Sequence, residues 1–123
     1  MATESFGTRT FTAGVTIPQF ARGKLSALNT VVVSVAADKA AYLGVAQTGA
    51  ASGEELSVAL KGGYRTFKCI ASEAITVNTA IYSDADGEVV DVANGSPIGT
   101  ALEAATADQD IIECVLWDQV AVV

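Results

Sequence analysis

Residues 98–116 read IGTALEAATADQDIIECVL, and their second half decides the class of the fold. Ile112, Cys114 and Leu116 alternate with Glu113, Val115 and Trp117, the period of two expected of a strand that buries one face. The same period runs through Leu56, Val58 and Leu60, set against Glu55, Ser57, Ala59 and Lys61. The stretch that leads into this second strand, residues 43–60, reads LGVAQTGAASGEELSVAL and resembles residues 98–116. Both run apolar residue, Gly, any residue, Ala, then a loop of small residues, acids, and an alternating strand ending in Leu. The pair is a weak internal two-fold repeat.

Working outward, further runs rich in Val, Ile, Thr and aromatics are residues 8–12, 31–35, 64–70, 79–83, 88–92 and 119–123. Asp84-Ala85-Asp86-Gly87 and Asn94-Gly95-Ser96-Pro97 punctuate them, because Gly and Asn tolerate positive φ and Asp favours the start of a turn. Strands at this pitch predict an all-β protein, a small antiparallel sandwich or barrel. The 22 alanines argue the other way by propensity. Short helices over residues 72–78 or 19–29 are the places where helix would enter. Residues 96–103 offer a Ser cap and Pro97 at a first helical position, but Gly99 in that turn and Asp108 and Asp110 near the far end favour strand and loop.

Residues 1–30 are Thr- and Gly-rich and lack sustained apolar alternation. They read as an extended N-terminal arm ahead of a β-domain over residues 31–123. Phe6 and Phe11 would insert into a partner, with Arg9, Arg22 and Lys24 supplying charge. The competing reading makes this stretch the first strand and its loop.

The chain has 123 residues, mean hydropathy +0.40, no histidine and a net charge of −7. That length supports one core. The longest apolar run is broken at Ser34, far short of the roughly 18–20 residues of a membrane span, and the polar N-terminus has no secretory pattern. All seven bases lie in the first 68 positions against four acids, giving +3; the last 55 hold ten acids and no base, giving −10. Without a dense basic surface, nucleic acid is not an expected partner. Charge of two signs suits docking on an oppositely charged surface.

Chemistry is sparse. The absence of histidine removes the commonest general base and metal ligand, and neither G-x-S-x-G nor S-x-x-K occurs, so no catalytic residue, cofactor or metal site is assigned. Asp84-Ala85-Asp86-Gly87-Glu88 resembles the start of a calcium loop but lacks an acid before the Gly and a twelfth-position Glu, and a hairpin turn explains it better. Cys69 and Cys114 have no metal or redox spacing and read as buried thiols; a disulfide requires that their strands be neighbours. Lys61, Arg65 and Lys68 flank Tyr64 and Phe67, but strand alternation sends Arg65 and Phe67 to the face opposite Tyr64 and Lys68.

The order of these features is familiar. ITVNTAIYSDADGEVVDV (75–92) followed by SPIGTALEAATADQDIIECVL (96–116) resembles a family of small tailed-phage proteins, the capsid cement or head decoration proteins. The resemblance rests on Tyr82, on the acidic turn Asp84 to Gly87, on Val89 to Val92, and on Ile98, Gly99, Ala101, Glu103, Ala104 and Ala105. Residues 43–64 follow the same family's first-half order, and the likeness covers about residues 31–117. It implies a non-enzymatic virion protein, synthesised in the host cytoplasm, that sits as a homo-trimer on the outer capsid surface. There it would tie neighbouring major capsid proteins together against DNA pressure. The candidate capsid contacts are then Phe6, Arg9, Phe11, Arg22 and Lys24. The alternative is a carbohydrate- or host-surface-binding module of a virion, with Trp117 and Tyr64 as stacking platforms.

Overall fold

The computed structural model describes residues 8–39, 41–62 and 65–117. Their regular structure is ten short strands in two sheets of five, with single 3-10 turns at Ala36–Asp38 and Ala85–Gly87. The first sheet holds β1 (Thr8–Ala13), β2 (Arg22–Ala27), β3 (Thr30–Val33), β4 (Gly44–Ala46) and β5 (Glu55–Leu60), closed into a barrel in the order β1-β3-β2-β4-β5. Four of its pairings are antiparallel; β1 and β3 run parallel, with Ala13 opposite Val31. The second sheet holds β6 (Phe67–Ile70), β7 (Ala80–Ser83), β8 (Val89–Val90), β9 (Gly99–Ala101) and β10 (Ile111–Leu116), in the order β6-β10-β9-β7-β8. It curls far enough for Ala71, just past β6, to bridge Val89 of β8 in parallel.

The all-β expectation holds, and the alternating stretches become β5 and β10 with Leu56, Val58, Ile112, Cys114 and Leu116 buried. Each forms an antiparallel pair with the short strand opening its own stretch: Gly44 lies opposite Leu60, and Gly99 opposite Leu116. Those two glycines are required by space. A Cβ at residue 44 would sit 2.1 Å from the Ala59 carbonyl oxygen, and one at residue 99 would sit 1.9 Å from that of Val115. Ile17 exchanges hydrogen bonds with Ala50, and Ile75 with Ala105, so each long loop is tied back near its middle.

Three expectations need correction. The stretch 19–29 is not helical: from Arg22 onward it is β2, whose Gly23 pairs with both Val33 and Gly44. Residues 72–78 likewise form turns and the Ile75 bridge rather than helix. The boundary placed at residue 30 falls inside the barrel, because β1 pairs with β5 over Thr8–Thr12 and with β3 at its end, and β2 lies between β3 and β4. The competing reading, first strand and loop, fits β1 and the segment after it, but residues 22–27 add a second strand that it did not include. The apolar residues Phe11, Ala13, Ile17 and Ala21 are interior, and core burial outweighs any gain from leaving them on a free arm. Residues 1–7, 40, 63–64 and 118–123 lie outside the described residues, and with them Phe6, Tyr64 and the run 119–123.

Two cores result, and they interlock. Phe11, Ala13, Ile17, Val31, Leu56 and Val58 fill the barrel together with Ile70 from the second sheet. Tyr42, Val45 and Ala59 leave the barrel's outer face to join Phe67, Cys69, Ile81, Ile98 and Leu116. Cys69 and Cys114 lie on the paired strands β6 and β10 as buried free thiols. The hydrogen bond between them, and then burial, push the Cys114 thiol well above its ordinary range. Gly44→Ala and Gly99→Ala should each destabilise the protein by about 3 kcal/mol or more, since backbone must move to admit the methyl. Gly53→Ala, at φ 90° with open space around it, should cost only about 1 kcal/mol, with urea titration of the three variants as the measurement.

Candidate functional site

The charged residues predicted to meet a partner lie on β1 and β2, and each is held by neighbours within the chain. Arg22 opens β2 at the end of the barrel nearest the second sheet and is fully buried. Its Nη2 donates to the carbonyl oxygens of Glu88 (2.8 Å) and Asp84 (2.9 Å), and its Nη1 donates to Ser34 Oγ at 3.2 Å. The guanidinium lies 5.1 Å from the centroid of the Tyr42 ring. Burial lowers its pKa, opposed by the electrostatic influence of Tyr42, Cys69, Asp38 and Asp84; arginine stays charged throughout. The two carbonyls it holds belong to the turn between β7 and β8, so Arg22 fastens the second sheet to the barrel.

That turn is the acidic stretch singled out in the sequence. The Asp84 carboxylate accepts from the Ala85 N–H at 2.8 Å, and Asp86 and Gly87 both take positive φ, at 58° and 72°. Gly87 is irreplaceable for a second reason: a Cβ there would lie 2.8 Å from the Arg22 backbone, while its N–H donates to the Ser34 carbonyl at 2.8 Å. The acids of this stretch therefore shape a hairpin. Among the described residues no group of three or more His, Cys, Asp or Glu side chains could hold a metal ion.

Beside Arg22, Lys24 Nζ pairs with Asp38 Oδ1 at 3.0 Å. Burial raises the Asp38 pKa, but hydrogen bonds from the Val35 N–H, Lys24 and Ser34 outweigh it and hold the carboxyl below its ordinary range. Arg9, exposed on β1, donates from Nη2 to Asn29 Oδ1 at 2.7 Å and lies 4.8 Å from the centroid of Phe11. Glu88 is the opposite case from Asp38: burial raises its pKa, the Gln109 hydrogen bond lowers it, and Asp108, Asp86 and Asp84 raise it further, for a net upward shift.

The predicted contact residues thus separate. Arg9 and Lys24 reach the surface of the barrel, each already held by a neighbour, whereas Phe11, 3% exposed, and Arg22 are interior and cannot touch a partner. Phe6 is outside the described residues. What the sequence reading missed is the β2–β3 hairpin, whose tip carries Leu28, 89% exposed, with Leu25 half exposed behind it. The signal was Asn29-Thr30 after Leu28, since Asn tolerates the left-handed φ of 58° seen there better than most residues other than glycine.

The pattern of charge is the other surface feature. Residues 8–62 carry Arg9, Arg22, Lys24, Lys39 and Lys61 against Asp38, Glu54 and Glu55, a formal +2; residues 65–117 carry Arg65 and Lys68 against nine acids, a formal −7. The phage cement protein family profile matches residues 9–116, which is nearly all of the described chain. The chain belongs to the phage cement protein family. Family membership makes it a capsid-binding structural virion protein. The N base of the head fiber protein gp8.5 of bacteriophage phi29 has the same fold, with a TM-score of 0.71 at 15% identity over 91% of this chain and 94% of that one. No curated protein matches the cement protein's sequence.

Two outcomes follow for the cement protein. Arg22→Met strands two buried carbonyls and should lower unfolding free energy by about 3 kcal/mol or more, against at most about 1 kcal/mol for Lys24→Ala in the partly exposed ion pair. Glu88 has a folded pKa above its unfolded value, so its contribution to stability is full below the unfolded pKa and is lost as pH rises through the folded one. Glu88→Gln should therefore be more stable than wild type at pH 7, with the difference in Tm closing as pH falls toward 4.

Proposed function

We propose that this cement protein binds the outer surface of a phage head with its first barrel inward and its acidic second sheet outward, tying neighbouring major capsid proteins together. The observation that supports this orientation is the +2 and −7 division of charge between two halves that share their apolar cores. An elongated charge distribution of that kind aligns a protein as it approaches a charged surface. An acidic outward face also keeps many densely placed copies from associating through their exposed sides. In this reading the protein acts as a homo-trimer, carries out no catalytic step and needs no cofactor. Its contribution is mechanical: each copy adds contacts that must be broken before capsid subunits separate.

Purified protein mixed with undecorated heads should co-sediment saturably, and the affinity should fall as ionic strength rises from about 0.1 M to 1 M, over which the Debye length shrinks from about 10 Å to about 3 Å. Failure to sediment with heads at saturating concentration would sink the proposal. Native mass spectrometry should give three times the 12.5 kDa chain mass, and a monomer under the same conditions would remove the trimer from it.

A further inference from the structure

The β2–β3 hairpin holds a large apolar side chain in water by rigid means. Lys24 pairs with Val32 and Leu25 with Val31; a bulge falls between Leu25 and Ala27, and Ala27 then pairs with Thr30. Leu28 and Asn29 make the turn, 89% exposed at Leu28. Four separate features fix its shape. Asn29 takes φ 58°, its carbonyl accepts from the Thr12 N–H at 2.8 Å, its side chain accepts from Arg9 at 2.7 Å, and Thr30 Oγ1 donates to the Leu28 carbonyl at 3.2 Å. Arg9 is itself braced against Phe11. Leu28 is the most exposed large apolar side chain among the described residues, and Leu25 at 50% continues the apolar surface down the same strand.

None of this stabilises the core, because Leu28 buries almost nothing within the chain. A hairpin backbone already fixed in one shape has little left to order when a partner covers its tip, which is the condition for a small contact to bind tightly. The surroundings define the partner's chemistry. The hairpin belongs to the half of the molecule with formal charge +2, and the guanidinium of Arg9 stands beside the tip, whereas the half with −7 is the second sheet.

We infer that the β2–β3 hairpin tip is the docking knob of this protein, with Leu28, backed by Leu25, entering an apolar socket whose rim is acidic on the capsid protein of the head. The inference rests on the capsid-binding reading above and locates its contact. A socket with carboxylates at its edge would be attracted by Arg9 and Lys24 and would repel the second sheet, so one contact sets both attachment and orientation.

The test compares wild type, Leu28→Ser and Leu28→Met in co-sedimentation with undecorated heads, with Val92→Ser, exposed on the second sheet's side, as a control. Leu28→Ser should bind about ten-fold or more weakly at unchanged Tm and unchanged native mass, while Leu28→Met and Val92→Ser stay within about two-fold of wild type. In wild-type protein, amide exchange across residues 24–30 should slow on binding heads, a readout that needs no variant. Wild type that binds while Leu28→Ser binds equally well overturns the inference and leaves the capsid-binding reading standing; so does unchanged exchange at residues 24–30. A change of native mass in Leu28→Ser overturns it in favour of a contact between copies of this chain. Wild type that fails to bind heads at all removes the capsid-binding reading itself.

Discussion

The buried guanidinium of Arg22 is the constraint around which the two sheets are arranged. A charge fully removed from water is tolerated only where its donors are met, and here the acceptors are two main-chain carbonyls of the β7–β8 turn, a serine hydroxyl and the face of Tyr42. The first barrel's half supplies the cation together with Ser34 and Tyr42, and the second sheet's β7–β8 turn supplies the two carbonyls, so neither half completes the network alone. Gly87 lets the turn come close enough, and Ser34, Asp38 and Lys24 extend the same network to the barrel surface. Asn94 adds a second bridge by donating to the carbonyls of Ala36 and Ser83. Directional bonds of this kind set the orientation of the halves, while the shared apolar cluster of Tyr42, Val45 and Ala59 with the second sheet supplies the undirected attraction.

A fixed orientation gives the charge division its effect. Were the halves free to turn, a basic and an acidic portion would average over many directions. Joined by Arg22 and by the interleaved cores, they hold a net positive barrel half against a net negative second sheet. Acids crowded on the second sheet repel one another, which is visible at Glu88, where Asp108, Asp86 and Asp84 add to burial in raising its pKa. The same carboxylates, concentrated on one sheet, disfavour association between copies through that side.

Much of the fold was legible because alternation is a local signal. Leu56 to Leu60 and Ile112 to Leu116 could satisfy a period of two in only one way, and Asp84 to Gly87 held the chemistry of a tight turn whatever surrounded it. β2 was not legible. Arg22-Gly23-Lys24-Leu25-Ser26-Ala27 has a buried charge where an apolar residue would be expected and exposed Leu25 where a polar one would be, so its pattern is inverted relative to the rule. The stretch before it was misread for a related reason. Phe11 looks like an isolated anchor until the neighbouring strand β5 that helps to bury it is in place.

The contact residues divide along the same line. By itself the sequence determined that the protein would be all-β, that its acids at residues 84–88 would turn a hairpin, that its cysteines would be small buried hydrophobes, and that positive and negative charge would occupy different portions of the chain. Each is a property of residue type and near spacing. Only the tertiary structure decided which of the charged and apolar residues face outward. Arg22 and Phe11 went inside and Leu28 stayed outside, because burial and hydrogen-bond satisfaction are settled by groups that lie far apart in sequence, such as Arg22 and Glu88.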